Sequence, residues 1–292
     1  MEKIVQKAPA KVNLALHVAG RRPDGYHELD SIVAFVPDVA DTITLVPARE
    51  FRLHVSGARA AGVPADESNL ALRAAMALPR RWPEHFAPVD IRLEKNLPAA
   101  AGIGGGSADA AAVIRAMCRL HGFFPPWREL QALALELGAD VPVCLHGRAA
   151  RMRGIGERLT SLSMPRNTWA LLANPGVKVS TAAVFARLRA SSVKGFRALP
   201  PTLPRQWMHT RALAADLARL RNDLQPPACA LAAQIAHCLQ QLRREPGVLL
   251  TRMSGSGATC LALFDNAYAA RRACRRLREK HPRWWLAMGL LR

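Results

Sequence analysis

A run of small residues, Leu97-Pro98-Ala99-Ala100-Ala101-Gly102-Ile103-Gly104-Gly105-Gly106-Ser107-Ala108-Asp109, leads straight into a helical pattern. Glycines let backbone approach a ligand closely, and exposed N–H groups at a helix start attract phosphate. The run is not a Walker A loop, because no Gly-Lys-Ser/Thr follows. Nor is it a dinucleotide fingerprint, because Ser107 stands where the third glycine belongs. A flexible turn with Ser107 or Asp109 capping a helix is the plain alternative. In Pro9-Ala10-Lys11-Val12-Asn13-Leu14-Ala15-Leu16, Lys11 and Asn13 alternate with apolar neighbours and project from one face of a strand. An inward lysine needs a partner: a structural salt bridge is the ordinary use, and polarising a hydroxyl or phosphate is the functional one. Asp140, the only charged residue between Glu136 and His146, is the natural acid. It could deprotonate an alcohol for attack on phosphorus, or merely cap an element or hold an ion pair. Met253-Ser254-Gly255-Ser256-Gly257-Ala258-Thr259 joins two strand-like runs, either as a hairpin turn or as a second anion-contacting loop.

The elements that must position these residues follow from periodicity. Residues 11–18, 31–36, 42–46, 51–55 and 89–94 are short and rich in Val, Ile and Leu, as strands are. Residues 69–78 read as a helix capped by Asn69, and 107–120 as a buried helix at the centre of a domain. Residues 127–137 form an amphipathic helix stopped by Gly138. Pro142 is expected to prevent helix from resuming across 138–142, which leaves Asp140 in a turn or at an element end. Gly154-Ile155-Gly156 suits a bend between strands within 149–160. Strands at 169–173, 248–253, 259–264 and 284–288 and helices at 180–188, 209–221, 228–244 and 267–280 complete an α+β pattern, with a proline-rich loop over 191–207. We expect an N-terminal domain over 1–155 and a C-terminal domain over 156–292.

The chain has 292 residues, half of them hydrophobic and 22% charged, which gives material for a core and excludes general disorder. Its 41 Lys and Arg against 22 Asp and Glu leave a net charge of +19, so anionic partners are expected: nucleic acid, a membrane surface or phosphorylated metabolites. No run approaches the roughly 18 apolar residues of a membrane span, and the first residues lack a signal peptide's apolar segment, so the expected location is cytoplasmic. The six cysteines form no Cys-x-x-Cys pair and read as buried, reduced thiols. Arg271, Arg272, Arg275, Arg276, Arg278 and Lys280 crowd one helix beside an apolar stripe of Ala270, Ala273, Cys274 and Leu277. That is how a solvated surface helix looks; a basic nucleic-acid-binding protein is the alternative.

Taken in order, Pro-Ala-Lys-x-Asn-Leu around Lys11, the loop from Pro98 to Ala108, and Ser254-Gly255-Ser256-Gly257-Ala258 resemble the three motifs of the GHMP small-molecule kinases. Arg22-Pro23-Asp24-Gly25-Tyr26-His27-Glu28-Leu29 and Leu137-Gly138-Ala139-Asp140-Val141-Pro142 resemble the branch that phosphorylates a cytidine-diphosphate-linked methylerythritol on the route to isoprenoid precursors. The resemblance implies a two-domain α+β kinase fold with an active-site cleft between the domains, ATP as co-substrate and Mg²⁺. No membrane and no specific nucleic acid are expected, and no obligate protein partner is evident. By resemblance, Asp140 is the catalytic base and Lys11 its partner, the loop amides hold the ATP phosphates, and Asn69 and Lys95 neighbour the nucleoside. Tyr26 and Phe185 are expected to sandwich cytosine, with His27 on the base edge and Ile155 giving a backbone contact. Asn13 contacts the erythritol or diphosphate end, and residues 254–257 border the substrate. Ser107 is a metal ligand only by analogy. A homoserine or mevalonate kinase of the same family is the nearest rival. One departure stands out: the family usually has glycine where this chain has Ala100, and Ala101 extends the change, so either these positions take ordinary backbone angles or the loop is shaped differently.

Overall fold

The computed structural model describes residues 3–23, 27–190, 199 and 203–292. Tyr26 and most of the expected loop over 191–207 lie outside the described residues. Strands β1 (Ile4–Arg21), β2 (His27–Pro47) and β3 (Arg52–Ser56) are followed by α1 (Leu70–Arg81), β4 (Val89–Glu94), α2 (Gly105–His121), α3 (Trp127–Leu137) and α4 (Val141–His146). Then come β5 (Ala150–Gly154), β6 (Arg158–Ser161), β7 (Trp169–Asn174), α5 (Thr181–Ala190), α6 (Thr210–Ala218), α7 (Gln225–Leu231) and α8 (Ala233–Arg243). The chain closes with β8 (Leu250–Met253), β9 (Cys260–Phe264), α9 (Ala267–Lys280) and β10 (Trp285–Leu290).

Two compact units divide the chain, and they interleave. The first comprises Met1–Ala10, Val39–Ala99 and Gly104–Gly147; the second comprises Lys11–Asp38, Ala100–Ile103 and Arg148–Arg292. Residue 155 falls inside the second unit.

In the first unit, the later part of β2 pairs antiparallel with β4, from Thr42 opposite Glu94 to Pro47 opposite Val89, and β3 runs parallel to β4. Val89, Ile91 and Leu93 are buried while Arg92 and Glu94 face out, the alternation that marks a half-covered sheet. Helix α2 is buried at every position from Ala108 to Ile114 because its alanines let α1 and α4 pack closely on either side. Helix α1 begins at Asn69, whose side chain accepts from the Ala71 amide at 2.9 Å. It runs on through Pro79 to Arg81, past the expected end, because that proline sits in the last turn and the Trp82 amide still returns to the Leu78 carbonyl.

In the second unit, Leu29–Val33 of β2 pairs with β5, which pairs with β6. A separate antiparallel sheet, ordered β10-β7-β9-β8, carries α8 and α9. Its core joins Leu171, Ala173, Cys260, Ala262 and Phe264 to Ile235, Leu239 and Leu242 of α8 and to Ala270, Ala273 and Leu277 of α9. All six cysteines are free thiols, and burial pushes the Cys118 thiol up to about 11.

Three expectations need correction. The runs 31–36 and 42–46 are one strand, since Pro37 and Asp38 between them are exposed and the proline removes no buried donor. The helix expected over 228–244 is two, broken at Ala232, which takes an extended conformation and serves both ends. Pro142 does not prevent helix: α4 starts at Val141 with Pro142 in its first turn, where a missing N–H costs nothing.

Candidate active site

The three glycine and lysine motifs, far apart in sequence, meet in the second unit. Lys11 and Asn13 lie side by side on one face of β1, both buried, with the Lys11 ammonium donating to Asn13 Oδ1 at 3.0 Å. Asn13 Nδ2 donates to Ser31 Oγ at 2.7 Å, and that hydroxyl donates to the Ala15 carbonyl at 2.6 Å. The Lys11 amide donates to the Ile103 carbonyl, and the Thr259 amide to the Ala101 carbonyl, so the tip of the glycine run is held from two sides. Ser254, fully buried, closes the circuit: its hydroxyl accepts from the Asn13 amide at 3.0 Å and donates to the Gly102 carbonyl at 2.7 Å. Asn222 Nδ2 donates to the carbonyls of Met253 and Gly255, both at 2.8 Å. Arg252 is also buried and donates to the carbonyls of Leu14, Leu217 and Leu220; burial lowers its guanidinium to about 10.

Close contact explains the glycine at 102. With φ at +73°, a Cβ there would stand 2.4 Å from the Ser254 carbonyl oxygen and 2.8 Å from that of Gly257. Ala100 keeps the left-handed angle a glycine would hold, at φ +50°, and Ala101 does not, which answers the question its sequence raised. That geometry costs an alanine about 1 kcal/mol or more.

In the first unit, α2 starts after Gly104, left-handed at φ +63°, with no side chain capping it. The amides of Gly105, Gly106 and Ser107 therefore have no intrahelical acceptor and form a donor cluster at the positive end of the dipole. Asp140 stands at the N-cap position of α4 without a side-chain capping bond, and is half-buried. The far end of α4 is held by Arg115, which donates to the Cys144 carbonyl at 2.7 Å. Asn69 has both ends of its amide engaged, accepting from Ala71 and donating to the Pro64 carbonyl at 2.7 Å. Lys95 is buried between Asp41 and Asp109 and lies 2.7 Å from Asp109 Oδ2. Burial opposes its charge, but the two carboxylates outweigh burial and raise it. Burial also pushes Asp109 up to about 7, against the pull of Lys95.

His27 and Phe185 stack, with ring centres 4.5 Å apart and planes 23° from parallel. The Ile155 amide is taken by Glu157 Oε2 at 2.7 Å, and Ser256 shares a hydrogen bond with Thr181 at the start of α5. Among the described residues, no three His, Cys, Asp or Glu side chains gather as a metal cage, and no helix is long and apolar enough to cross a membrane. A magnesium ion carried by phosphates needs few protein ligands, and the Ser107 hydroxyl in the first turn of α2 suits that role.

The sequence reading passed over Asp41, Ser31, Asn222 and Arg252. Asp109 did leave a signal, a carboxylate inside an otherwise small and apolar helix, but it read as a cap.

Family models of the GHMP kinases N terminal domain and the GHMP kinases C terminal match residues 69–148 and 205–283. The chain is 50% identical over 281 residues to a 4-diphosphocytidyl-2-C-methyl-D-erythritol kinase of Cereibacter sphaeroides, covering 96% of each chain. It is 48% identical over the whole of both chains to the kinase of that name from Methylobacterium radiotolerans. A crystal structure of 4-(cytidine 5'-diphospho)-2C-methyl-D-erythritol kinase superposes with a TM-score of 0.77 at 36% identity, covering 98% of this chain and 100% of that one. A homoserine kinase from Cytophaga hutchinsonii superposes at 0.73 but is only 18% identical, which is likeness of fold alone. The homoserine and nucleic-acid alternatives therefore fall away. With half its residues shared over nearly its full length, and the three motifs brought together as one hydrogen-bonded circuit, the chain belongs to the 4-diphosphocytidyl-2-C-methyl-D-erythritol kinases, within the GHMP kinases.

Proposed function

We propose that this small-molecule kinase transfers the γ-phosphoryl group of ATP to the 2-hydroxyl of 4-diphosphocytidyl-2-C-methyl-D-erythritol. One observation carries the reading: Lys11 and Asn13, the Gly102 turn and the Ser254–Gly257 loop, scattered over the chain, form one circuit. Phosphoryl transfer asks a protein mainly for alignment and charge neutralisation. Asp140 takes the proton of the acceptor hydroxyl as its oxygen bonds to phosphorus. Lys11, held by Asn13, supplies positive charge to the developing alkoxide. The amides of Gly105, Gly106 and Ser107, with the run from Pro98 to Ala108, receive the ATP phosphates. The Ser107 hydroxyl would hold Mg²⁺, which when bound would supply positive charge to the transferring phosphate.

The cytosine base stacks on Phe185, with Tyr26 as the opposite wall and His27 reading its edge. Since His27 and Phe185 already stack, the base shares Phe185 with that imidazole. Ile155 contributes backbone to the base, and Asn13 with residues 255–257 borders the diphosphate and erythritol. The buried Ser254 acts by holding that loop to β1. Asn69 shapes the start of α1 beside the nucleoside. Incubation with ATP and the cytidyl alcohol should release ADP and place phosphate on the 2-hydroxyl, read by phosphorus NMR. Turnover of mevalonate or homoserine without turnover of the cytidyl alcohol would sink the reading. Along the sequence, and apart from the interleaving of the compact units, the two family regions divide as an N-terminal kinase domain over 1–155 and a C-terminal one over 156–292, and the enzyme works in the cytoplasm.

A further inference from the structure

The ammonium of Lys95 lies directly beneath the first residue of α2. A Cβ built on Gly105 would come within 3.6 Å of Lys95 Nζ and 3.9 Å of Asp41 Oδ2. The ammonium does not reach the surface: Lys95 is 3% exposed, and its charge is held by Asp41 and Asp109, both buried. Asp41 does two jobs at once. One oxygen pairs with Lys95, while Oδ1 accepts from the amides of Asn96 at 2.5 Å and Leu97 at 2.8 Å, the two residues before Pro98. Asp109 takes Lys95 with Oδ2 from the first turns of α2, and its buried Oδ1 has no hydrogen-bond partner among the described residues. The backbone of Lys95 is fixed as well, its amide donating to the Ser56 carbonyl at 2.7 Å and its carbonyl accepting from Arg59 at 3.0 Å.

We infer that Lys95, Asp41 and Asp109 form a buried positioning unit that fastens the entry of the glycine loop to the start of α2, so that the Lys95 ammonium acts on the nucleotide through the loop and not by touching it. The inference rests on the proposed binding of ATP phosphates at the start of α2. It gives the side chain of Lys95 a supporting task and leaves the residue where resemblance puts it, next to the nucleoside. The Lys95 ammonium spends two of its three donors on carboxylates and lies buried, so a ligand reaches it only by opening the site and exposing a buried ion pair, a costly step. The geometry instead ties β2, the end of β4 and α2 at one point, and the amides that face phosphate inherit that rigidity.

Two measurements test it. Acetylation of the native enzyme with a water-soluble acylating reagent, followed by peptide mass mapping, should leave Lys95 unmodified both with and without a non-hydrolysable ATP analogue. A Lys95 that reacts in the free enzyme and is protected by the analogue would overturn the inference, because that is how a contacting lysine behaves. In Asp41→Asn, the Kd for the analogue by calorimetry should rise at least about tenfold, the loss expected when one charge-assisted hydrogen bond to phosphate is misaligned. The KM for the cytidyl alcohol and kcat at saturating ATP should stay within about threefold of the parent, a split that general loosening would not produce. If that variant melts below assay temperature, Lys95→Met with Asp109→Asn removes one charge of each sign, leaves Asp41 on its two amides, and should weaken the analogue by a similar factor. An unchanged Kd in a folded variant overturns the inference. Its failure is separable from that of the proposed function, which would show as a parent enzyme that binds the analogue yet does not phosphorylate the cytidyl alcohol.

Discussion

Replacing Gly102 by alanine tests whether the tip of the glycine run is shaped by protein packing. The added Cβ would meet the Ser254 oxygen at 2.4 Å and the Gly257 oxygen and nitrogen at 2.8 and 2.9 Å, all backbone atoms that cannot rotate aside. The left-handed angle costs alanine about 1–2 kcal/mol and overpacking about 1–3 more, so the variant should lose roughly 2–5 kcal/mol. Against the about 5–15 kcal/mol of a typical domain, such a loss leaves the chain folded unless its stability lies at the bottom of that range. To restore ordinary contact, the two loops must part by about 1 Å, a displacement of the size that costs about a hundredfold in rate when it reaches aligned groups. Two controls isolate the cause. Gly122→Ala shares the left-handed angle, φ +65°, but its Cβ meets nothing within 4 Å, so it should lose only the conformational part. Gly106→Ala keeps an ordinary angle and meets only Leu70 Cδ1 at 3.6 Å, so any loss of activity there reports phosphate approach, not packing. Denaturant melts and ADP release should rank Gly102→Ala below both in stability. A Gly102→Ala enzyme as stable as Gly122→Ala and as fast as the parent would refute the reasoning.

Other perturbations follow from single features. Asp140→Asn should abolish turnover while the Kd for ATP analogues changes little; near-parental kcat would remove Asp140 from the base role. Ala100→Gly should stabilise by up to about 1 kcal/mol, because glycine relieves the angle at φ +50° while adding unfolded-state entropy, and an unchanged or lower denaturation midpoint would contradict that. Asp109 binds its proton more tightly in the folded chain, at about 7, than its ordinary 3.8. A raised carboxyl stabilises fully below about pH 4, and that contribution drains away as pH climbs through 7, by something on the order of 4 kcal/mol. Denaturant melts from pH 4 to 8 should therefore slope less in Asp109→Asn than in the parent, and equal slopes would rule the effect out.

Legibility in the sequence tracks how local each determinant is. Strand β4, α3 and α9 fall where periodicity puts them, and the two helices have a boundary signal next to them: Gly138 stops α3, and Asn266 starts α9 by accepting from the Ala269 amide. The break at Ala232 has no glycine or proline to announce it; tertiary packing of α7 and α8 decides it. The face shared by Lys11 and Asn13 was legible because strand alternation is local. The partner of Lys95 was not, since Asp41 sits 54 positions away and a pairing across that distance leaves no local mark. Ser254 has a structural use that its motif does not announce. Its small side chain beside glycine reads as a ligand contact, but its hydroxyl is spent on Asn13 and Gly102, because an approach this close leaves the Gly102 carbonyl in need of a donor.

The net charge of +19 has a physical place once the buried cations are separated from the rest. Inside, the cations are held by hydrogen bonds: Lys95 by two carboxylates and Arg252 by three carbonyls. Outside, α9 turns Ala270, Ala273, Cys274 and Leu277 onto the sheet and leaves Arg271, Arg272 and Arg275 in water, where Arg272 lies 5.5 Å from the Tyr268 ring centre. Arg276 pairs with Glu245, and Lys280 donates to Gln241. Such a solvated face gives no sequence readout, but it acts on any polyanion as a field that salt screens over about 10 Å. The proposed substrates are both polyanions. Raising ionic strength should therefore lower kcat/KM for ATP and for the cytidyl alcohol through slower capture, with kcat unchanged. A kcat that falls in step with kcat/KM would mean instead that salt reaches the buried circuit around Lys11, which its burial argues against.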